Sequence, residues 1–130
     1  MGLDIYINYR GNCEKAFRFY EQYLEAKVIS MISYLEPPPN FPKEWNKPIL
    51  RAKIEIGGTR VWGADTPHTE PMRSAYLTLP VDISERAEYI YNLLSSDGEV
   101  HRPLEKTDFA ECFSLLRDRF GTLWMLIVEN

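Results

Sequence analysis

The sequence predicts an α+β fold made of two βαβββ modules that form a curled mixed sheet, with the helices on its convex face. Three observations carry this prediction. Asn12-Cys13-Glu14-Lys15-Ala16-Phe17-Arg18-Phe19-Tyr20 recurs half a chain later as Ile83-Ser84-Glu85-Arg86-Ala87-Glu88-Tyr89-Ile90-Tyr91. Each copy follows an alternating run, Asp4 to Tyr9 and Ser74 to Leu79, and opens a helical pattern. A second echo joins Gly58-Thr59-Arg60-Val61-Trp62 to Gly121-Thr122-Leu123-Trp124-Met125, each a turn followed by a strand. Repeated supersecondary units constrain topology more tightly than any single motif. Module 1 is expected at about 1–65 and module 2 at about 74–130, together one domain with a pocket between them.

Leu3, Ile5 and Ile7 alternate with Asp4, Tyr6 and Asn8, the period of a half-buried strand. Gly11-Asn12 then interrupts the chain, and Asn12 is the expected helix cap with Glu14 in the first turn. Ala16, Phe17, Tyr20 and Leu24 recur at helical spacing, so the helix runs to about Leu24. Lys27 to Tyr34 is β-branched and apolar, a second strand.

Residues 35–48 break the pattern. Pro37, Pro38, Pro39, Pro42 and Pro48 exclude a helix or a central strand, and the triplet favours a stiff extended path. Phe41 and Trp45 supply anchors for an ordered flap, which either closes over a cup or seals a dimer contact. The second half has no matching insertion. Ile49 to Ile56, Gly57-Gly58 and Thr59 to Ala64 read as a hairpin, and Thr66 to Pro71 as a polar connection. In the second half, Ser74 to Leu79 is the opening strand. Ser84 starts a helix with Ala87, Ile90, Tyr91 and Leu94 on its apolar side, ended by Asp97-Gly98. Glu99 to Leu104 makes a short strand, and Phe113 to Asp118 pairs with Thr122 to Val128 across Arg119-Phe120-Gly121.

The chain has 130 residues, 45% of them hydrophobic and 26% charged, enough for a core without metals or disulfides. A net charge of −4 without any Lys/Arg cluster speaks against nucleic acid as a partner. No apolar run reaches a membrane span, and the strand pattern begins at once, without space for a signal peptide. A cytoplasmic protein is expected. Cys13 and Cys112 are isolated cysteines without zinc spacing, read as two buried thiols, with a disulfide between them as the alternative.

The stretch Asn8 to Tyr20, the Ile54-Glu55-Ile56-Gly57-Gly58 hairpin, Asp65, and the tail Asp118-Arg119-Phe120-Gly121-Thr122-Leu123-Trp124-Met125 together resemble the vicinal-oxygen-chelate superfamily (glyoxalase, bleomycin-resistance protein, extradiol dioxygenase), and within it the PhnB-like branch. The resemblance spans nearly the whole chain. It implies paired βαβββ modules and a homodimer whose cups both chains complete. Metal-using members place a ligand on each of four strands, and by strand parity and the repeat these positions fall on Asp4 (or Ile5), Trp62, Ser74 and Met125. Of these only Asp4 is a plausible donor, so no metal cofactor is expected. PhnB-like sequences also carry methyltransferase labels by similarity, but no glycine-rich strand-to-helix turn for a nucleotide-like cofactor is present.

With indole and thioether at those positions, the cup reads as an aromatic small-molecule pocket. The expected ligand-binding residues are Tyr6, Asn8, Trp62, Ser74, Tyr76, Met125 and Trp45, with Thr78 facing the same way; Trp62 suits either a pocket wall or the core, and Trp124 faces the helix. Asp4 beside Tyr6 is the candidate general base, were desolvation to activate it. His68 and His101 read as a loop residue and an exposed strand end, with a relocated metal pair or a general base as the alternative. The leading function is metal-independent binding of an apolar or aromatic small molecule. The alternatives are a lyase, isomerase or dioxygenase-like enzyme with a non-standard metal site, and a dimeric structural module with a filled cup.

Overall fold

The computed structural model describes residues 1–130 and divides into two compact units, Met1–Pro71 and Met72–Asn130. Each is a βαβββ module. In the first, β1 (Ile5–Tyr9) leads to α1 (Cys13–Tyr23), followed by β2 (Lys27–Ser33), β3 (Ile49–Ile56) and β4 (Thr59–Asp65). In the second, β5 (Leu77–Pro80) leads to α2 (Ser84–Ser95), then β6 (Glu99–Glu105), β7 (Ala110–Arg117) and β8 (Leu123–Glu129). The sheets have matching orders, β1-β4-β3-β2 and β5-β8-β7-β6. In both, the opening strand pairs parallel with the closing one, and the other pairs are antiparallel. The α+β fold of two βαβββ modules is therefore present.

The apolar stripe of α1 explains its seat. Cys13, Ala16, Phe17 and Tyr20 are buried, and the helix packs on β2, β3 and β4. Gly63 makes room for it, because a Cβ there would lie 2.7 Å from Phe17 Cζ and 2.9 Å from Cys13 Sγ. The start of the helix departs from expectation. Asn12 makes no side-chain cap hydrogen bond. Instead the buried carboxylate of Asp65, at the end of β4, accepts from the backbone N–H of Gly11 (2.9 Å) and Cys13 (3.1 Å) with Oδ1, and from Ile49 (2.8 Å) with Oδ2. A residue distant in sequence thus caps α1 and fastens the start of β3. Local cap signals cannot reveal such a partner.

In the second module Ala87, Ile90 and Leu94 of α2 are buried, and α2 contacts β6, β7 and β8. Asp118 plays an anchoring role here, accepting from the N–H groups of Phe120 and Thr122 and from Trp124 Nε1 (2.9 Å). Trp124 is 2% exposed and fills the core. The opening strand is shorter than expected: it starts at Leu77, not Ser74. Ser74 has φ +63°, a left-handed conformation that interrupts the extended alternation before it can pair. No helix is long and apolar enough to cross a membrane. Cys13 and Cys112 are free thiols.

Candidate functional site

Each sheet has one face under its helix and one face free of it. On the helix-free face of module 1, Tyr6 of β1 lies directly opposite Trp62 of β4, and Trp62 opposite Lys53 of β3. Tyr6 is 59% exposed and Trp62 half-buried. The indole is held from two sides. Its Nε1 donates to Asp4 Oδ2 at 3.0 Å, and Lys53 Nζ sits 4.4 Å from the ring centroid, a cation–π contact. Arg60 Nε approaches Asp4 Oδ1 at 3.6 Å. Asp4 therefore sits just before β1 as an acceptor that orients the indole, not as a carboxylate aimed at open space. Asn8 accepts from Thr66 Oγ1 at 3.0 Å, tying β1 to the segment after β4.

The proline-rich segment is ordered. Its ends are joined where Tyr34 N–H donates to the Pro48 carbonyl. Phe41 packs on Tyr34 at 5.1 Å between centroids and on Trp45 at 5.6 Å. Trp45 lies against Gly11: a Cβ there would be 2.6 Å from the indole, and φ at Gly11 is +92°. Trp45 thus covers the β1–α1 turn of its own module.

On the helix-free face of module 2, Met125 of β8 lies between Thr78 of β5 and Leu115 of β7, with Arg102 of β6 next in the row. Arg102 lies over the ring of Phe113 at 5.3 Å. Tyr76 precedes β5 and its hydroxyl meets His101 Nδ1 of β6 at 2.8 Å, while His101 Nε2 meets Glu99 Oε1 at 3.0 Å. β5 and β6 are opposite edges of this sheet, three inter-strand steps of about 4.8 Å apart. His101 is therefore exposed near the start of β6, as expected, and is also a bonded member of a cross-sheet contact. His68 lies exposed in the connection with φ +63°. Ser74 is exposed outside β5 and joins none of these groups.

Lys53 beside Trp62 and the contact between Tyr76 and His101 were not legible in the sequence. Cross-strand register decides both contacts, and β6 is irregular between Val100 and Arg102, where a two-residue alternation cannot be followed.

Residues 3–127 match the family described as 3-demethylubiquinone-9 3-methyltransferase. The chain belongs to that family. Protein PA1353 from Pseudomonas aeruginosa has a crystal structure that is 30% identical in sequence, with a TM-score of 0.86 over 99% of this chain and 98% of that one. A PhnB protein from Bacillus cereus is 20% identical with a TM-score of 0.84, covering 98% and 99%. Protein YjdN of Escherichia coli K12 is 26% identical over 98% of this chain and 95% of its own length. A glyoxylase/bleomycin resistance protein/dioxygenase domain from Frankia sp. EAN1pec, 11% identical with a TM-score of 0.68 over 100% and 98%, shares the fold alone. The fold is the one that the vicinal-oxygen-chelate superfamily uses.

That superfamily's fold raises the question of a divalent metal, and the internal register tests which side chains would hold it. Trp62 faces Tyr6 and Met125 faces Thr78, so the symmetric positions are Tyr6, Trp62, Thr78 and Met125; Asp4 and Ser74 are not each other's counterparts. A phenol, an indole, a hydroxyl and a thioether offer neither the carboxylates nor the imidazoles that hard or borderline cations require. No three His, Cys, Asp or Glu side chains gather within the chain. These residues do not fit the group.

Proposed function

We propose that this PhnB-like protein binds a flat apolar or aromatic small molecule without a metal, using the helix-free faces of its sheets. The observation that carries this reading is the Tyr6–Trp62 pair. An exposed phenol stands opposite an indole whose N–H already donates to Asp4, so what remains to offer a ligand is the phenol and the indole surface that Lys53 leaves uncovered. Thr78 and Met125 repeat the arrangement in module 2 with a hydroxyl and a polarisable thioether. The donor chemistry at these four positions supports metal independence. The methyl transfer in the family's description is not part of the reading: the strand-to-helix turn of module 1 has its N–H groups at Gly11 and Cys13 taken by Asp65 and is covered by Trp45.

Two copies are part of the proposal. β2 is an edge strand that exposes Ile29 and Ile32, and Leu35 beyond it is fully exposed. An apolar edge of this kind is an aggregation liability unless a partner covers it. Native mass spectrometry of the purified full chain tests both parts together. The expected spectrum is a dimer carrying a co-purified organic molecule that Trp62→Ala removes. Stoichiometric zinc, nickel, manganese or iron would overturn metal independence, and a bare monomer would overturn both binding and pairing.

A further inference from the structure

We propose that Tyr76 is a proton-transferring tyrosine, with His101 as its proton acceptor and Glu99 as the residue that positions His101. The direction of the hydrogen bonds follows from their partners. An ionised carboxylate only accepts, so Glu99 Oε1 fixes the proton of a neutral His101 on Nε2. Nδ1 is then the lone-pair nitrogen, and the Tyr76 hydroxyl 2.8 Å away donates to it. The result is an ordered hydroxyl–imidazole–carboxylate chain. A carboxylate behind the ring stabilises the imidazolium that forms when the hydroxyl gives up its proton. The two rings meet edge to face, centroids 5.9 Å apart at 82°, which fixes the approach.

Position supports chemistry over simple fastening. The three residues come from the two edges of one sheet, and a bond between edges adds no strand pairing. The Tyr76–His101 contact lies at the solvent-exposed surface and Tyr76 itself is half-buried, so a small molecule can reach the hydroxyl. Tyr76 also stands two residues before Thr78, as Asp4 stands two residues before Tyr6, so each module brings one polar group to the same place beside its central pair. The molecule it would act on carries a weakly acidic O–H, or a C–H beside a carbonyl. Its proton passes to the tyrosine oxygen as the tyrosine proton passes to Nδ1, leaving the substrate anion and an imidazolium held by Glu99.

The test uses benzenesulfonyl fluoride on the full chain and needs no knowledge of the natural ligand. The Tyr76 oxygen attacks sulfur, an S–O bond forms as the S–F bond breaks, fluoride leaves, and the phenolic proton goes to His101. Peptide mass spectrometry compares the labelling rates of all 8 tyrosines in one sample. Tyr76 is expected to label roughly tenfold or more faster than the more exposed Tyr6. His101→Ala is expected to slow Tyr76 alone, and added imidazole to restore it. Glu99→Gln, on a side chain 70% exposed and so tolerated by the fold, is expected to slow it as well. Equal labelling of Tyr76 and Tyr6, an unchanged rate in Glu99→Gln, or a His101→Ala protein that folds but is not rescued by imidazole would overturn the proposal.

Discussion

Asp65 concentrates more structure in one side chain than any other residue of module 1. It is 2% exposed, and its three backbone donors come from the β1–α1 turn, the helix start and the head of β3. Asp65→Ala leaves those N–H groups buried without their acceptor, and the expected loss is about 3 kcal/mol or more, read from urea unfolding. Asp65 also bears on its neighbour. Burial pushes the Cys13 thiol far above its ordinary range, and the charges of Asp65 and Glu14 push the same way. Cys13 is therefore expected to ignore a thiol reagent in the folded protein at neutral pH and to react only in denaturant, which a timed disulfide-exchange assay would show. Fast native reaction at Cys13 would contradict its burial. Asp65 and Cys13 were both noticed in the sequence. Their partnership was not, because it joins the start of α1 to the end of β4 with β2 and β3 between them.

The elements were the most legible part of this chain. The 3.6-residue stripe of α1, the two-residue alternation of β1 and the turn before β8 give the observed elements to within a residue or two. β5 was misread because alternation continues through Ser74 and Ala75, while the backbone turns left-handed at Ser74. Two contacts show how helix α1 is held, and each makes a prediction. Glu21 accepts from the Val28 N–H at 3.1 Å, joining helix to β2. That bond first, and then Arg18, holds the Glu21 carboxyl below its usual range. A carboxyl so lowered stabilises the fold above the unfolded-chain value of about 4.3 and loses that contribution as pH falls through the folded value. Glu21→Gln should therefore lower the urea midpoint at neutral pH and flatten its fall in acid. The second contact is Gly63 under Phe17 and Cys13. Gly63→Ala forces the helix off the sheet, with an expected cost of about 1–3 kcal/mol in thermal or urea unfolding, and a neutral effect would contradict the packing.

For the whole molecule, the repeat proved the most reliable guide. It gave the topology of both modules and marked Trp62 and Met125 as equivalent central positions. It could not give their partners, since register across a parallel pair depends on where the strand begins, and the first module's insertion shifts any simple offset. Of the expected site residues, Tyr6 and Asn8 lie on β1, Trp62 on β4 and Met125 on β8, whereas Ser74 and Tyr76 precede β5 and Trp45 sits over the β1–α1 turn. Trp62→Ala is expected to abolish co-purified ligand while costing about 1–2 kcal/mol, the scale of its Asp4 hydrogen bond and Lys53 contact. Trp124→Ala should instead cost about 3–5 kcal/mol, because that ring fills the core of module 2.

The parallel pairing of each module's first strand with its last also sets a timetable for synthesis. β1 has no strand partner until β4 is made, and β5 none until β8 is made, so each module must hold its opening segment unpaired while the rest emerges. Such long-range closure is intrinsically slow. Module 1 can complete its sheet once Asp65 has left the ribosome. Module 2 must wait for Glu129, because β8 lies in the interior of its sheet, between β5 and β7. A nascent chain stopped at Gly121 should therefore protect its first seventy or so residues from protease and leave the remainder open to cleavage.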